Sequence, residues 1–282
     1  MDYYIIEKLK SNEVEFCNRW STQTIDFNDT FRILANQSLE GDYFLNRVIL
    51  TDGIEEFEKE EKDISSIVAQ IKKFSKLQAI DVYVHLNDNF SFLKTVLEKN
   101  GLKEIDKLAG LVNVVEDQKC LSLNEFELKK PLSDRKTCKI ARSADELNDW
   151  LNVYSQSFGI DMEKRAAIRT IIQKESFRES KFIICEQKLN DKTNRHNLRP
   201  IGCCILFPTN DVLGLYCLGT DQRFRNRGIA STIIDFIITY AKINGFNFIG
   251  LQALDSDHTT GFYQRRHFAT VYTNAIFSIP IS

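Results

Sequence analysis

Apolar residues recur at strand and helix spacing in two successive series along the chain. In the first series, their spacing predicts a helix over residues 13–20, a strand over 44–51, a helix over 64–74 and a strand over 79–86. A further helix closed by an Asn-Gly pair and a strand over residues 110–115 complete the series. This order of elements predicts a mixed α/β domain.

A polar stretch separates the two series. Residues 117–136 interrupt the periodic pattern, which is typical of a connection between domains. After it, Ser143 followed three residues later by Glu146 forms a capping-box pattern before a run of helical spacing. We therefore predict two domains, at residues 1–130 and 131–282.

In the second domain, one stretch passes from a strand into a helix through an arginine-rich turn. Residues 213–218 form an apolar run of strand length, and residues 229–241 repeat apolar side chains at helical spacing. The turn between them holds Arg223, Arg225 and Arg227. Because a helix N-terminus carries partial positive charge, each cation placed there costs ~0.3–1 kcal/mol.

An anion bound at this turn would remove the electrostatic conflict. Gly228 has no Cβ and Ala230 has a small side chain, which lets a phosphate approach the backbone. The alternative is a solvated turn whose arginine side chains extend into water.

The turn also resembles a known family signature. Residues 225–230, Arg-Asn-Arg-Gly-Ile-Ala, resemble the R/Q-x-x-G-x-G/A signature of the GNAT superfamily of acyl-CoA-dependent N-acyltransferases. Residues 261–268 are similar to the family's L-Y-x-x-x-G-F segment, with Tyr263 in register and His267 in place of the usual glycine. In family order, the resemblance covers residues 136–282.

The resemblance implies an enzyme that moves an acetyl group from acetyl-CoA, or another acyl-CoA, directly to an amine of an acceptor. The first half would be a degenerate copy, because it has only Gly53 among acidic residues where the arginine turn would stand. The expected fold is α/β (or α+β): two tandem GNAT-like domains, each a mixed, largely antiparallel sheet flanked by helices. The acceptor would be a small molecule or a peptide.

The same resemblance assigns the donor site. In the family, amides of the turn bind the pyrophosphate of the cosubstrate, and the end of the preceding strand pairs with its pantetheine arm. The cofactor-binding residues implied here are Leu218, Gly219, Thr220, Arg223, Arg225, Asn226, Arg227, Gly228, Ile229 and Ala230.

Tyr263 is the candidate general acid. A phenol with a pKa of ~10 stays protonated at neutral pH and can give its proton to the departing thiolate; the other interpretation is a packing aromatic. The general base stays open, because the strand before the turn has no acid in its interior and Asp211 lies far back. Asp255, Asp257, His258 and a relayed water are the alternatives.

Composition excludes several other classes. A net charge of −2 gives no general basis for nucleic-acid binding, and no apolar run reaches the ~18–20 residues of a membrane span. Seven cysteines without a CxxC pair, and no basic-then-apolar leader, predict a cytoplasmic protein. Only four histidines, unclustered, argue against a zinc site.

Other functions remain open at this point. One is a catalytically silent acyl-CoA sensor, and another is a tandem-domain transferase with an aminoacyl or longer acyl donor. An interaction module is disfavoured because it does not explain three arginines at a helix start. The sequence determines neither the acceptor nor the oligomeric state.

Overall fold

The computed structural model describes residues 3–27, 31–50, 61–88, 90–115, 136–176, 179–188 and 198–279. Up to residue 115, the helices and strands are α1 (Tyr3–Trp20), β1 (Gln23–Phe27), β2 (Phe31–Ala35), β3 (Arg47–Leu50), α2 (Glu61–Gln78), β4 (Tyr83–Asn87), α3 (Ser91–Lys99) and β5 (Lys103–Val114). From residue 136 they are β6 (Lys136–Ile140), α4 (Ala144–Phe158), α5 (Met162–Ser176), β7 (Lys181–Lys188), β8 (Leu198–Thr209), β9 (Val212–Thr220), α6 (Ile229–Ile243), β10 (Phe248–Leu254), α7 (Asp257–Gln264) and β11 (Ala269–Ser278).

Residue contacts group the chain into two units. The first unit combines Met1–Leu111 with Gln252–Ser282, and the second unit is Val112–Leu251. In the first unit the strand order is β1-β2-β3-β4-β11-β5. Its β1–β2, β2–β3 and β4–β11 pairs are antiparallel, whereas β3 and β4 are parallel.

The second unit has the strand order β10-β9-β8-β7-β6. Its strands are antiparallel from β6 to β9, and β9 pairs with β10 in parallel. Mixed, largely antiparallel sheets with flanking helices were predicted, and this fold class is confirmed.

The hydrophobic core of the first unit lies between the sheet and helices α2 and α3. Apolar side chains of α2, including Val68, Ile71 and Phe74, belong to one buried cluster with Val84 and Leu86 of β4. Burying a side chain of this size contributes about 1.5–3 kcal/mol, so this face holds the helices on the sheet.

In the second unit, α4 carries the principal aromatic contact with the sheet. The Trp150 side chain is fully buried, its indole Nε1–H donates to the Cys204 carbonyl at 2.8 Å, and its ring meets Phe182 edge to face. The predicted capping box is present, since the side chain of Ser143 and that of Glu146 each accept from the other residue's backbone N–H. The cap sets where α4 begins.

A network of buried polar side chains lies inside the first unit. An Arg47 Nη donates to Glu13 Oε1 at 2.6 Å, and the Tyr272 hydroxyl donates to Glu13 Oε2 at 2.7 Å. Gln252 Nε2 donates in turn to the Tyr272 oxygen at 2.9 Å. Gly110 makes room for the phenol, because a Cβ there would lie 2.2 Å from the Tyr272 ring.

His85 and Cys17 complete this network around the same guanidinium. Arg47 donates to His85 Nδ1 at 2.6 Å and to Cys17 Sγ at 3.3 Å, and His85 Nε2 lies 2.7 Å from the Tyr43 carbonyl. Because a carbonyl only accepts, Nε2 carries the proton and Nδ1 accepts. Burial and the neighbouring Arg47 hold the pKa of His85 well below its usual range, so the ring is neutral.

The predicted elements of both halves are present, but several bounds differ; for example, the strand predicted over residues 110–115 begins at Lys103. The helix predicted over residues 13–20 begins earlier, at Tyr3, and the β1–β2 hairpin was not predicted. The strand expected over residues 79–86 begins only at Tyr83. Residues 252–282 group with the first unit, so the contacts divide the chain differently from the predicted domains.

Some predictions fall outside the described residues. The polar connection at residues 117–136 lies there except for its last residue, so the boundary between residues 130 and 131 stays a prediction. Gly53 and its acidic neighbours also lie there. Across the described parts of the chain, no helix combines the length and the apolar character needed to cross a membrane.

Candidate functional site

A β-bulge interrupts β9 three residues before its end. Cys203 of β8 pairs with Gly219, but Ile205 pairs with Tyr216, so β9 carries one additional residue between these pairs. Cys217 takes up the irregularity in a left-handed conformation with φ of 55°. Such bulges bend a strand and redirect its backbone groups, often next to functional sites. Here the redirected residues are Leu218 to Thr220, the positions assigned to the pantetheine arm.

The parallel pairing of β9 with β10 covers only the start of β9. The paired residues of β9 are Val212, Leu213 and Gly214. The strand then continues to Thr220 beyond these pairs. The bulged end of β9 is therefore the part that would accept an extended ligand as a further strand.

Gly219 lets the end of β9 approach α4 closely. A Cβ at this position would lie 2.9 Å from both Cβ and Oγ of Ser157 and 3.1 Å from the ring of Phe158. Any side chain at residue 219 would force the helix away from the strand.

A buried carboxylate anchors the turn that follows β9. Asp221 is 3% exposed, and its backbone N–H donates to the Ile201 carbonyl at 2.9 Å. Its carboxylate accepts from the backbone N–H of Arg223 at 3.0 Å and from Arg223 Nε and Nη at 3.0 and 2.7 Å. These hydrogen bonds from Arg223 lower the pKa of Asp221, so the carboxylate is charged at neutral pH.

The turn also docks on the C-terminal end of α4. Arg225 Nη donates to the Ser157 carbonyl at 2.9 Å, and Gln222 Nε2 donates to the Gln156 carbonyl at 3.2 Å. A cation is favourable at a helix C-terminus, where the last carbonyls carry partial negative charge. Two of the three arginines are thus bound by oxygens of the protein, Arg223 by Asp221 and Arg225 by α4.

The chain enters α6 through two left-handed residues. Asn226 has a φ of 60°, and Gly228 is the N-cap of α6 with a φ of 74°. No side chain caps the helix, and its first turn has no acidic residue. The nearest atom to a Cβ built on Gly228 would be Lys136 Nζ, at 3.9 Å. The backbone therefore presents an open surface to an anion at the helix start.

The start of α6 packs closely on β8. Ile229 is 2% exposed, and a Cβ at Gly202 would lie 2.6 Å from its Cγ2 and 2.9 Å from Cδ1 of Ile233. A glycine on the strand thus fixes how near the helix lies to the sheet. Ala230 is half-buried at the next position of α6.

Tyr263 lies in α7, which belongs to the first unit. Its half-buried ring meets Phe262 and Phe268 edge to face, with centroids 5.1 and 5.7 Å away. These contacts hold the ring in place, so packing accompanies whatever chemical role the hydroxyl has.

The candidate bases lie at two distant places in the chain. Asp255, Asp257 and His258 are exposed at the start of α7, whose N-cap is Ser256. The Asp211 carbonyl accepts from the backbone N–H groups of residues 247 and 248, at the opposite end of β9 from the turn. Asp211 therefore stays distant from the bulge. Among the described residues, there is no cluster of three or more His, Cys, Asp or Glu side chains that could hold a metal ion.

Residues 145–268 match a family model described as "Acetyltransferase (GNAT) family". The matched segment includes the β9 bulge, the arginine turn and Tyr263. These residues form a GNAT acetyltransferase domain. A GNAT acetyltransferase domain is a transferase domain, so the predicted family and the predicted enzyme class are both confirmed.

Solved structures extend the likeness in fold over nearly the whole chain. A GCN5-related N-acetyltransferase from Kribbella flavida has a TM-score of 0.67 at 13% identity, covering 98% of this chain and 95% of that one. One from Sphaerobacter thermophilus has a TM-score of 0.64 at 10% identity, covering 94% and 84%. A tandem GNAT protein from the clavulanic acid biosynthesis pathway has a TM-score of 0.55 at 8% identity, covering 89% and 79%. The predicted fold of two GNAT-like domains is confirmed, while a search of curated sequences finds no match.

Several contributors to the site were not predicted from the sequence. Asp221 neutralises Arg223, the Ser157 carbonyl accepts a hydrogen bond from Arg225, and Lys136 Nζ donates to the Arg227 carbonyl at 2.6 Å. The Asp-x-Arg spacing at the start of the turn is typical of a side-chain-capped turn, so it could have indicated the role of Asp221. No local pattern signals a carbonyl 68 residues away in sequence.

Proposed function

We propose that the protein is an N-acyltransferase that moves an acetyl group from acetyl-CoA directly to an amine of a small molecule or peptide. The observation that carries the proposal is the bulged end of β9 running into an anchored turn with an open backbone at Gly228. This arrangement supports a donor lying along β9 with its phosphates at the start of α6. Six cysteines among the described residues form no disulfide, which supports a cytoplasmic location.

The donor would be held mainly by backbone groups. Leu218, Gly219 and Thr220 would pair with the pantetheine arm, as an added strand does. The amides from Asn226 to Ala230 would bind the pyrophosphate. In this proposal Arg223 and Arg225 shape the turn through Asp221 and α4, so they act on the donor chiefly by holding the backbone in place.

The chemistry requires little of the side chains beyond positioning. The acceptor nitrogen attacks the thioester carbon, the C–S bond breaks, and a backbone N–H near Leu218 polarises the carbonyl. Tyr263 would give its proton to the departing thiolate, and the amine would lose its proton to a base or to water. The products are an amide and the free thiol of CoA.

The division of labour between the halves is part of the proposal. Residues 131–282 would hold the single acyl-CoA site, and residues 1–130 would be a companion domain that shapes the acceptor site. Calorimetry should therefore give one acyl-CoA per chain. A stoichiometry of two would contradict the loss of a site from the first half.

The donor site can be tested by isothermal titration calorimetry with acetyl-CoA. Gly228→Glu should abolish binding, because its carboxylate would occupy the place of the phosphate. Gly245→Glu is a matched control, since Gly245 also has a φ of 74°, follows the other end of α6 and has room for a Cβ, with nothing within 4 Å of where that atom would lie. Equal affinity of both variants for acetyl-CoA would show that the donor does not bind at this turn.

The alternative function is a catalytically silent acyl-CoA sensor, which the half-buried, packed environment of Tyr263 would also suit. An amine panel with detection of free thiol separates the two functions. Tight acetyl-CoA binding without turnover of any amine would favour the sensor. A preference for longer acyl-CoA donors would instead revise the donor, leaving the transfer reaction in place.

A further inference from the structure

Two arginines from different elements meet at one aromatic ring beside the turn. The guanidinium carbon of Arg199 lies 5.0 Å from the centroid of the Phe224 ring, and that of Arg227 lies 5.3 Å from it. Arg199 belongs to β8 and lies outside the GNAT signature, whereas Arg227 lies within it. The ring therefore gathers two like charges, which repel each other but are each attracted to its π face.

The described residues offer this pair little negative charge. Arg199 lies 3.8 Å from the carboxylate of Asp221, which is already bound by Arg223 at 2.7 Å. In the described part of the chain, no carboxylate lies within 4.0 Å of Arg227. The amine of Lys136 adds a further cation through its bond to the Arg227 carbonyl. Among the described residues, the carboxylate of Asp221 thus has two guanidinium groups within 4.0 Å, those of Arg199 and Arg223.

Two of the arginines of the turn have their guanidinium groups hydrogen-bonded to oxygens of the protein. Arg223 is held by Asp221 and Arg225 by the last turn of α4. Arg199 and Arg227 are the guanidinium groups that remain for a ligand, and they share one ring. An excess of cations that breaks local electrostatic rules marks a place where an external anion completes the structure.

We infer that Arg199 and Arg227, arranged on Phe224, form a second anion subsite that binds the ribose phosphate of acyl-CoA. The inference rests on the proposed function. Acyl-CoA carries a phosphate monoester on its ribose besides its diphosphate, and such a monoester bears about −1.5 to −2 charges at pH 7. A planar guanidinium can donate two N–H groups to one phosphate, so two arginines supply the positive charge and the donors that a phosphate monoester binds.

The subsite gives the donor site a way to select among acyl carriers. A donor with the diphosphate but without the ribose phosphate would use the turn alone. A donor with both groups would use the turn and the arginine pair. The protein should therefore prefer acetyl-CoA to its 3′-dephospho analogue.

The test compares both donors by calorimetry on the full-length chain. The wild type should bind acetyl-CoA ~10-fold or more tightly than acetyl-3′-dephospho-CoA, the effect of one charged hydrogen-bonded contact. Arg199→Gln should lose most of this preference, because it should weaken the binding of acetyl-CoA and leave that of the dephospho analogue unchanged. Arg227→Gln should have the same effect. Arg169→Gln, which removes an exposed arginine from α5, is the matched control and should keep the preference.

The possible outcomes separate the subsite from the proposed function. Equal binding of the two donors by the wild type would overturn the subsite and leave donor binding at the turn intact. Equal weakening of both donors in Arg199→Gln would overturn it as well, because the arginine would then act on the turn as a whole. A wild type that binds neither donor would overturn the proposed function and the subsite with it.

Discussion

Removing the negative charge of Glu13 should destabilise the first unit strongly. Glu13 and Arg47 are 3% and 2% exposed, and their charged atoms lie 2.6 Å apart. In Glu13→Gln the amide keeps the shape but leaves a buried guanidinium without its counter-charge, which costs about 3–5 kcal/mol. An amide nitrogen also cannot accept, so either Arg47 or Tyr272 loses a hydrogen bond.

The matched control is the same substitution two residues further along α1. Glu15 is 45% exposed at its side chain and pairs with Arg19 at 3.5 Å. Exposed pairs of this kind contribute about 0.2–1 kcal/mol, so Glu15→Gln should change stability little. The difference between the two variants isolates the effect of burial, because the chemical change is identical.

Tryptophan fluorescence provides the assay. The chain has two tryptophans, and Trp20 is buried in α1 next to Phe16. In a Trp150→Phe background, Trp20 is the single tryptophan, and urea unfolding at pH 7, followed by selective tryptophan excitation, gives the free energy of unfolding from midpoint and slope. If Glu13→Gln lowers that free energy by no more than Glu15→Gln does, the buried network does not stabilise the unit and the reasoning fails.

Three further predictions concern pH, packing and catalysis. The pKa of His85 is lowered in the folded protein, so the contribution of the neutral ring to stability is present above the unfolded pKa of ~6.5 and is lost as pH falls below that value. The urea midpoint should therefore drop less in His85→Gln than in the wild type when pH is lowered from 7.5 to 5. Gly202→Ala should lower the free energy of unfolding by about 1–3 kcal/mol and weaken acetyl-CoA binding, because the added Cβ would move α6. Adding Ile233→Val should restore part of both losses, because it removes the Cδ1 atom that the Cβ would meet. A double variant that restores neither would refute that contact. Tyr263→Phe should reduce turnover ~10²-fold with acetyl-CoA affinity little changed, and unchanged turnover would make Tyr263 a packing residue.

Local patterns predicted most of the elements because each depends on neighbouring residues. The helix of residues 229–241 follows from apolar spacing, and the start of α4 follows from the reciprocal hydrogen bonds of Ser143 and Glu146. The β1–β2 hairpin was missed because its strands are only five residues long and β1 is partly exposed, which leaves a weak apolar signal.

Features that depend on distant partners could not be predicted from local patterns. Tyr272 and Glu13 lie 259 residues apart in the sequence, yet they share a buried hydrogen bond. The bulge at Cys217 likewise depends on how β8 pairs, since cysteine has no preference for positive φ. At the candidate site, the turn was predicted from Gly228 and its arginines, but the protein oxygens that bind two of those arginines were not.

The discontinuous first unit has a consequence for how the chain is made. β11 lies between β4 and β5 in the strand order, yet ribosomes translate it after every other described strand. A nascent chain that has emerged only through β5 therefore cannot complete this sheet. The hydrogen bond between Glu13 and Tyr272 can form only after residues 112–251 have also been synthesised. Until then, the edges of β4 and β5 are exposed to chaperones and to other nascent chains. A stop codon before residue 269 would make that incomplete state permanent.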